Sequence, residues 1–215
     1  MRISILCSSK NHPIYPYLER WEDKQSSAHQ VDLLHNKEDL SSGDILFLVS
    51  CNEIIKKELR KRFSFSLVIH ASDLPDVKGW SPHIWQILEG KNEICVSLIE
   101  AEEPIDSGDI WKQEIIKVNE HELYDEINDL LFKVELKLMD FAVDNYKAIN
   151  PVPQEKREGS YFRKRTPVDS EIDPNKTISE QFDLIRVSDP ERFPAFFKLH
   201  GFTYEIAIKK VSNED

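Results

Sequence analysis

His70 and Asp106 are the two side chains whose types and spacing point to chemistry. His70 closes an apolar, β-branched run, Ser64 to Ile69, and Asp106 stands 36 residues later at the head of an Asp-Ser-Gly turn. An imidazole titrates near neutral pH and can shuttle a proton to or from a reacting amine, while a carboxylate beside it orients the ring and stabilises its charged form. Such a pair needs no metal, and the chain has no CxxC or other metal-ligand spacing.

The elements around these residues explain how they would be positioned. Ser64 to Ile69 reads as a buried strand, which places His70 at its carboxyl end, where open α/β sheets hold their ligands. Ala71 to Gly79 is a loop, because Pro75 lacks a donor and Gly79 favours a turn. A helix follows, with Ser81 at the N-cap, Pro82 at its first position and Gly90 closing it. Ile94 to Ile99 is the next apolar strand, and its exit loop, Glu100 to Asp109, holds five carboxylates. If these strands are parallel, both loops leave one sheet edge and His70 meets Asp106 across a cleft. Read alone, Glu100, Glu102, Glu103 and Asp109 form a solvated rim.

Together the two motifs, H-A-S-x-L-P-x-x-x-G and D-x-G-x-I, resemble the formyltransferases that use 10-formyltetrahydrofolate. The resemblance covers roughly the first 120 residues. It implies a Rossmann-like α/β fold with a mostly parallel sheet and helices on both faces. It also implies formyl transfer to an amine, with His70 and Asp106 catalytic. The family set includes an Asn two places before the His, and this chain has Val68 there. A valine cannot donate a hydrogen bond to a developing oxyanion. Asn52, a backbone amide or a protonated His70 could fill that role, or the protein is a weakened or non-catalytic relative.

The resemblance assigns the folate to Cys51, Asn52, Glu53 and Ile54 after a third strand, Asp44 to Ser50, and to Glu100, Ile105 and Glu102 in the later loop. It assigns the acceptor to Asn11 and His12 in the first crevice loop, to Ser72, Lys78 and Trp80, and to Tyr161 and Arg163 in a basic cluster suited to pyrophosphate. Each has a plainer reading: Ser72 as turn support, Trp80 as packing, the cluster as a solvated linker.

The remaining sequence narrows the acceptor. The chain has 215 residues, and its 28 basic against 39 acidic side chains give a formal charge of −11, which argues against a nucleic-acid footprint. No glycine lies in the loop Ser8 to Pro13, as a dinucleotide site would want. Three cysteines without pairing pattern, and no apolar run near membrane-spanning length, fit a reduced cytoplasmic protein.

A long helix is predicted from Leu123 to Phe141, capped by Asn119 with Glu122, ending at Asn150-Pro. The catalytic core is thus assigned to 1–150. A linker, a helix capped by Thr177 and Glu180, and a hairpin joined at Gly201 occupy 151–215. This tail resembles the nucleotide-sugar amine formyltransferases; the tRNA-directed branch carries a further domain. The acceptor expected is therefore a nucleotide-linked amino sugar, with another amine or water as alternatives, and the apolar hairpin makes a homodimer an expectation.

Overall fold

In the computed structural model, which describes residues 1–212, a six-stranded sheet is assembled in the order β2-β1-β3-β4-β6-β7. β1 (Arg2–Leu6) is a buried apolar run interrupted only by Ser4; α1 (Tyr15–Gln25) carries Pro16 in its first turn and buries Leu18 and Trp21. β2 (Gln30–Leu34) and β3 (Gly43–Leu48) flank β1 in parallel, and β4 (Phe63–His70) follows parallel to β3 after the single-turn helix α2 (Lys57–Arg60). The short β5 (Val77–Gly79) leads into α3 (Pro82–Leu88).

The parallel arrangement ends there. β6 (Glu93–Glu100) runs antiparallel to β4, with His70 opposite Ser97 and Leu67 opposite Glu100. β7 (Ile110–Lys117) is antiparallel to β6 and was not expected from the sequence. Only Trp111 and Ile116 of its eight residues are buried, so the edge strand lacks the apolar run that marks its neighbours.

Alternate residues of the strands face two cores. Ile3, Ile5, Ile45, Phe47, Leu67, Ile94, Val96 and Leu98 pack with α1, α3 and α4 (Tyr124–Asn145) in the larger one. Leu6, Leu46 and Leu48 face a smaller cluster with Leu40, Ile55 and Leu59 of α2. Helices thus cover both faces unequally.

Two caps differ from expectation. The longest helix starts at Tyr124, where the Glu126 carboxylate accepts the Leu123 N–H at 2.8 Å. Glu122 instead closes the preceding turn on the Asn119 N–H at 2.7 Å. Ser81 occupies the N-cap of α3 in a left-handed conformation (φ 46°) and makes no side-chain cap. Thr177 and Glu180 do bond each other, ahead of a helical turn and α5 (Phe182–Arg186).

β8 (Ser160–Phe162) lies beside β5, and β9 (Ala195–Leu199) pairs with β10 (Phe202–Ile206) as the expected hairpin. All three cysteines are free, and none of the described helices is long and apolar enough to cross a membrane.

Glu135 of α4 is buried and one of its carboxylate oxygens has no partner. Burial pushes its pKa from 4.5 to about 8, so the folded chain holds a proton there that the unfolded chain has lost. Stability therefore falls as pH rises through this window, by about 1.4 kcal/mol per pH unit from this group. Glu135→Gln should remove that slope and unfold at higher urea than the wild type at pH 8, with little difference at pH 4.5.

Candidate active site

His70 ends β4 at the edge where β1 and β3 also end. Val68, two residues earlier on the same face, packs on the cluster formed by Leu48, Ile55 and Ala101, so it contributes apolar surface and no donor. The segment after β3, carrying Cys51 to Ile55, and the segment after β6, beginning at Ala101, are both rooted in that cluster.

The two residues singled out by spacing do meet, although the route differs from the one expected. Because β6 is antiparallel, it delivers Glu100 opposite Leu67, three residues short of His70 and about 10 Å back along β4. The chain from Ala101 to Asp109 must fold back over the strand to bring Asp106 forward. Ala101 N–H bonds Ser66 O at 2.7 Å, and Glu100 N–H bonds Asp109 O at 3.0 Å, which closes the loop at its base. Gly108 packs so tightly there that an added Cβ would lie 1.9 Å from Glu100 O. Asp106 itself adopts φ 58°, a left-handed conformation that costs an L-residue free energy and that turn-forming Asp tolerates better than most.

His70 Nε2 lies 3.8 Å from Asp106 Oδ2, and each side chain is about 10% exposed. That distance is too long for a direct hydrogen bond and short enough for strong electrostatic contact. Among the described residues His70 Nε2 has no hydrogen-bond partner. Burial lowers the His70 pKa, Asp106 opposes the shift, and the nearby Lys78 charge adds to it. The imidazole is therefore neutral at pH 7 and lies beside a carboxylate that can stabilise it once protonated, the state required of a general base.

The other sequence-nominated residues divide. Ile54 and Ile105 are 64% and 61% exposed, an unusual state for isoleucine and one that suits flanking a flat ring. Asn52 and Glu102 are exposed, whereas Cys51 is half-buried with its thiol toward Glu53 O. Glu53 is ion-paired with Lys37 at 2.6 Å. Glu100 is a correction: its carboxylate accepts the Trp111 indole N–H at 3.0 Å and supports the sheet edge.

Ser72 is a second correction. It is fully buried, its hydroxyl donates to Val77 O at 2.5 Å, and its carbonyl accepts from Ser97, so it shapes the loop and is closed to a substrate. Arg163 is a third. Its guanidinium is held by the Asp169 carboxylate and the Lys164 carbonyl and lies over Trp85, leaving no fork for a pyrophosphate. Lys164 covers Trp80 at 4.8 Å. Tyr161 is exposed and opposite Lys78 in the β5–β8 pairing, Asn11 is exposed, and His12 is half-buried against Phe132.

Sequence reasoning missed Gln154. Its amide donates to Asp106 O at 3.1 Å and Gly108 O at 2.7 Å, tying the chain after α4 to the Asp106 turn. No local pattern around Pro153-Gln154 announces a contact 48 residues away. Gln86 is similar: buried on α3, it donates to Ala71 O, the residue after His70.

The fold and site define an α/β domain whose strand ends carry a buried histidine beside a carboxylate. The profile of the family described as Formyl transferase matches residues 1–143, and the chain belongs to that family. Among curated relatives, the methionyl-tRNA formyltransferase of Finegoldia magna is 30% identical over 110 residues, 51% of this chain and 36% of that protein. The chain spans about half the length or less of the first such relatives.

Among solved structures, a methionyl-tRNA formyltransferase from Clostridium thermocellum is similar with TM-score 0.83 and 25% identity, over 100% of this chain and 95% of that one. A sugar N-formyltransferase from a Shewanella species is similar in fold with TM-score 0.74 and 15% identity, over 100% and 99%. So is HypX from Aquifex aeolicus in complex with tetrahydrofolic acid, with TM-score 0.75 and 21% identity, over 94% and 36%.

Gly108→Ala should open the Asp106 loop, because the new methyl cannot coexist with the Glu100 carbonyl. Hydrogen exchange at residues 101–109 should accelerate by tenfold or more, roughly the effect of losing 1.4 kcal/mol or more of local closure. Gln154→Ala should give a smaller acceleration in the same peptide.

Proposed function

We propose that this chain transfers a formyl group from 10-formyltetrahydrofolate to the primary amine of a nucleotide-linked amino sugar. The observation that carries the reading is the buried His70–Asp106 contact, flanked by loops that present Ile54 and Ile105 to solvent. Those exposed apolar side chains, rooted in one cluster, fit the two faces of a pterin. The folate-bound structural neighbour supports the same class of donor.

The donor supplies an activated formyl group when bound. His70, neutral at pH 7, takes the proton that the amine loses as its nitrogen forms a bond to the formyl carbon. Asp106 stabilises the imidazolium so formed and keeps the ring oriented. His70 then returns the proton to the folate nitrogen as the old C–N bond breaks. Val68 leaves the formyl oxygen to other donors. Leu48 pairs with Val68 in register, so Asn52 follows at the same sheet edge and is the side-chain amide we assign to this task.

The acceptor assignment rests on charge. A chain with a formal charge of −11 is poorly suited to a polyanion such as tRNA. Chain length does not discriminate, because the Clostridium structure is matched over 95% of its own length. The curated relatives favour an aminoacyl-tRNA acceptor, and that second reading is tested alongside the first.

The protein should be incubated with 10-formyltetrahydrofolate and, separately, with nucleotide amino sugars, charged initiator tRNA or no acceptor, while free tetrahydrofolate is followed. Formylation of an amino sugar is expected; release without an amine would make the protein a hydrolase and overturn the transferase reading. His70→Ala and Asp106→Asn should each lower kcat by about 10²- to 10⁴-fold with the folate KM little changed. Because burial depresses the His70 pKa, the acid limb of kcat/KM should lie below pH 6.5 in the wild type.

A further inference from the structure

Arg165 lies two residues beyond Arg163, yet its surroundings are opposite. Arg163 is exposed and neutralised by Asp169. Arg165 is largely withdrawn from solvent, and among the described residues no carboxylate lies within ion-pair distance of it. Its Nη2 donates to Asp169 O at 3.2 Å and Ser170 Oγ at 3.1 Å, both uncharged acceptors, and its Nε is buried without a partner. The nearest carboxylate, that of Asp169, is engaged by Arg163 and by the Thr166 amide and hydroxyl. Burying a guanidinium without a counter-charge is costly, and a fold that does so leaves an anion's place open.

Further basic groups gather around it. Ser170, which receives Arg165, itself donates to Phe193 O at 3.5 Å, so the chain just before the hairpin, with the exposed Arg192 next to Phe193, borders this segment. Trp85 Nε1 donates to Arg163 O at 3.0 Å and draws the same segment against α3, whose inward face carries His83 and Gln86. Gln86 is bonded to Ala71 O, so that face abuts the end of β4 and His70. His83 Nδ1 is buried without a partner.

Burial, then His70, His12 and Arg165, hold His83 at a pKa of about 4; burial, then Arg192, does the same to His12 against the opposing Asp189 carboxylate. Both imidazoles are neutral at pH 7. In His12, Nδ1 accepts the Ile14 N–H at 3.3 Å, so the proton sits on Nε2 and makes it a donor.

Arg165 and Arg192, with the neutral His12 and His83, thus gather near the end of β4, and Arg165 has no carboxylate partner among the described residues and a buried Nε with no acceptor. We propose that Arg165, supported by His12 and Arg192, binds the diphosphate of the nucleotide-linked acceptor and so fixes the distance from that anchor to His70. This rests on the nucleotide-linked reading of the acceptor. It moves the anion contact from the neutralised Arg163 to its unpaired neighbour. The patch holds too few cations to track a polynucleotide backbone, which favours a single diphosphate over tRNA.

Calorimetric titration of the full chain with inorganic pyrophosphate tests this without requiring turnover. Wild type should bind, and Arg165→Gln should bind roughly 10- to 100-fold more weakly, the usual effect of losing charge-assisted hydrogen bonds. Arg192→Gln should lose less. Arg157→Gln, which removes the same charge from an exposed pair with Asp76, should stay within about twofold of wild type. If Arg165→Gln does not fold, Arg165→Lys keeps the charge, removes the fork, and should still weaken binding several-fold.

The proposal is overturned if wild type shows no pyrophosphate binding, if Arg165→Gln binds like wild type, or if unfractionated tRNA is captured while pyrophosphate is not. A parallel titration with tetrahydrofolate separates the two readings. Folate binding without pyrophosphate binding sinks the subsite alone, and pyrophosphate binding without folate binding sinks formyl transfer.

Discussion

The reversal of one strand is the constraint from which the site follows. β6 runs antiparallel to β4, so its exit is directed away from the edge where His70 lies, and a carboxylate can reach that edge only if the loop doubles back. The loop does so through a base that tolerates no side chain at Gly108, a left-handed Asp106, and two hydrogen bonds from Gln154. Remove the doubling back and His70 remains at a strand end with no counter-charge. Conformational cost is concentrated here, as it commonly is where geometry serves chemistry.

The segment after α4 ties the two halves of the site together. Gln154 holds the Asp106 turn, β8 lies along β5 behind Lys78, and Phe162 stacks on Trp85 of α3 with Arg163 above it. An added Cβ at Gly79 would lie 2.0 Å from Phe162 O, which shows how closely this segment is seated. A charged, turn-rich stretch that reads as a linker is therefore packed against β5, α3 and the Asp106 turn. Its basic residues are partly structural: Arg163 and Lys164 cover tryptophans, while Arg165 is withdrawn from solvent with no carboxylate partner among the described residues.

Electrostatics inside the domain follow one rule: burial sets the protonation state and neighbours trim it. His70, His83 and His12 are all driven toward neutrality, and Glu135 toward its protonated form, each with burial as the leading cause. For His70 this places a free base beside a carboxylate. For Glu135 no hydrogen-bonding partner appears, and we find no catalytic use for it.

By itself the sequence determined the strands and helices with continuous apolar patterns, the strand-end position of His70 and its pairing with Asp106, because each depends on local periodicity or on two separated motifs. It did not determine that β6 reverses, since an apolar run carries no direction, nor that β7 exists, since a half-exposed edge strand has little pattern. Nor could it tell Arg163 from Arg165, or Ser72 as loop support from Ser72 as ligand. Partners in those cases, Asp169, Ser170, Val77 and Ser97, are brought close by tertiary packing, and the free energy that assigns each polar group its role is that of the groups it finally meets.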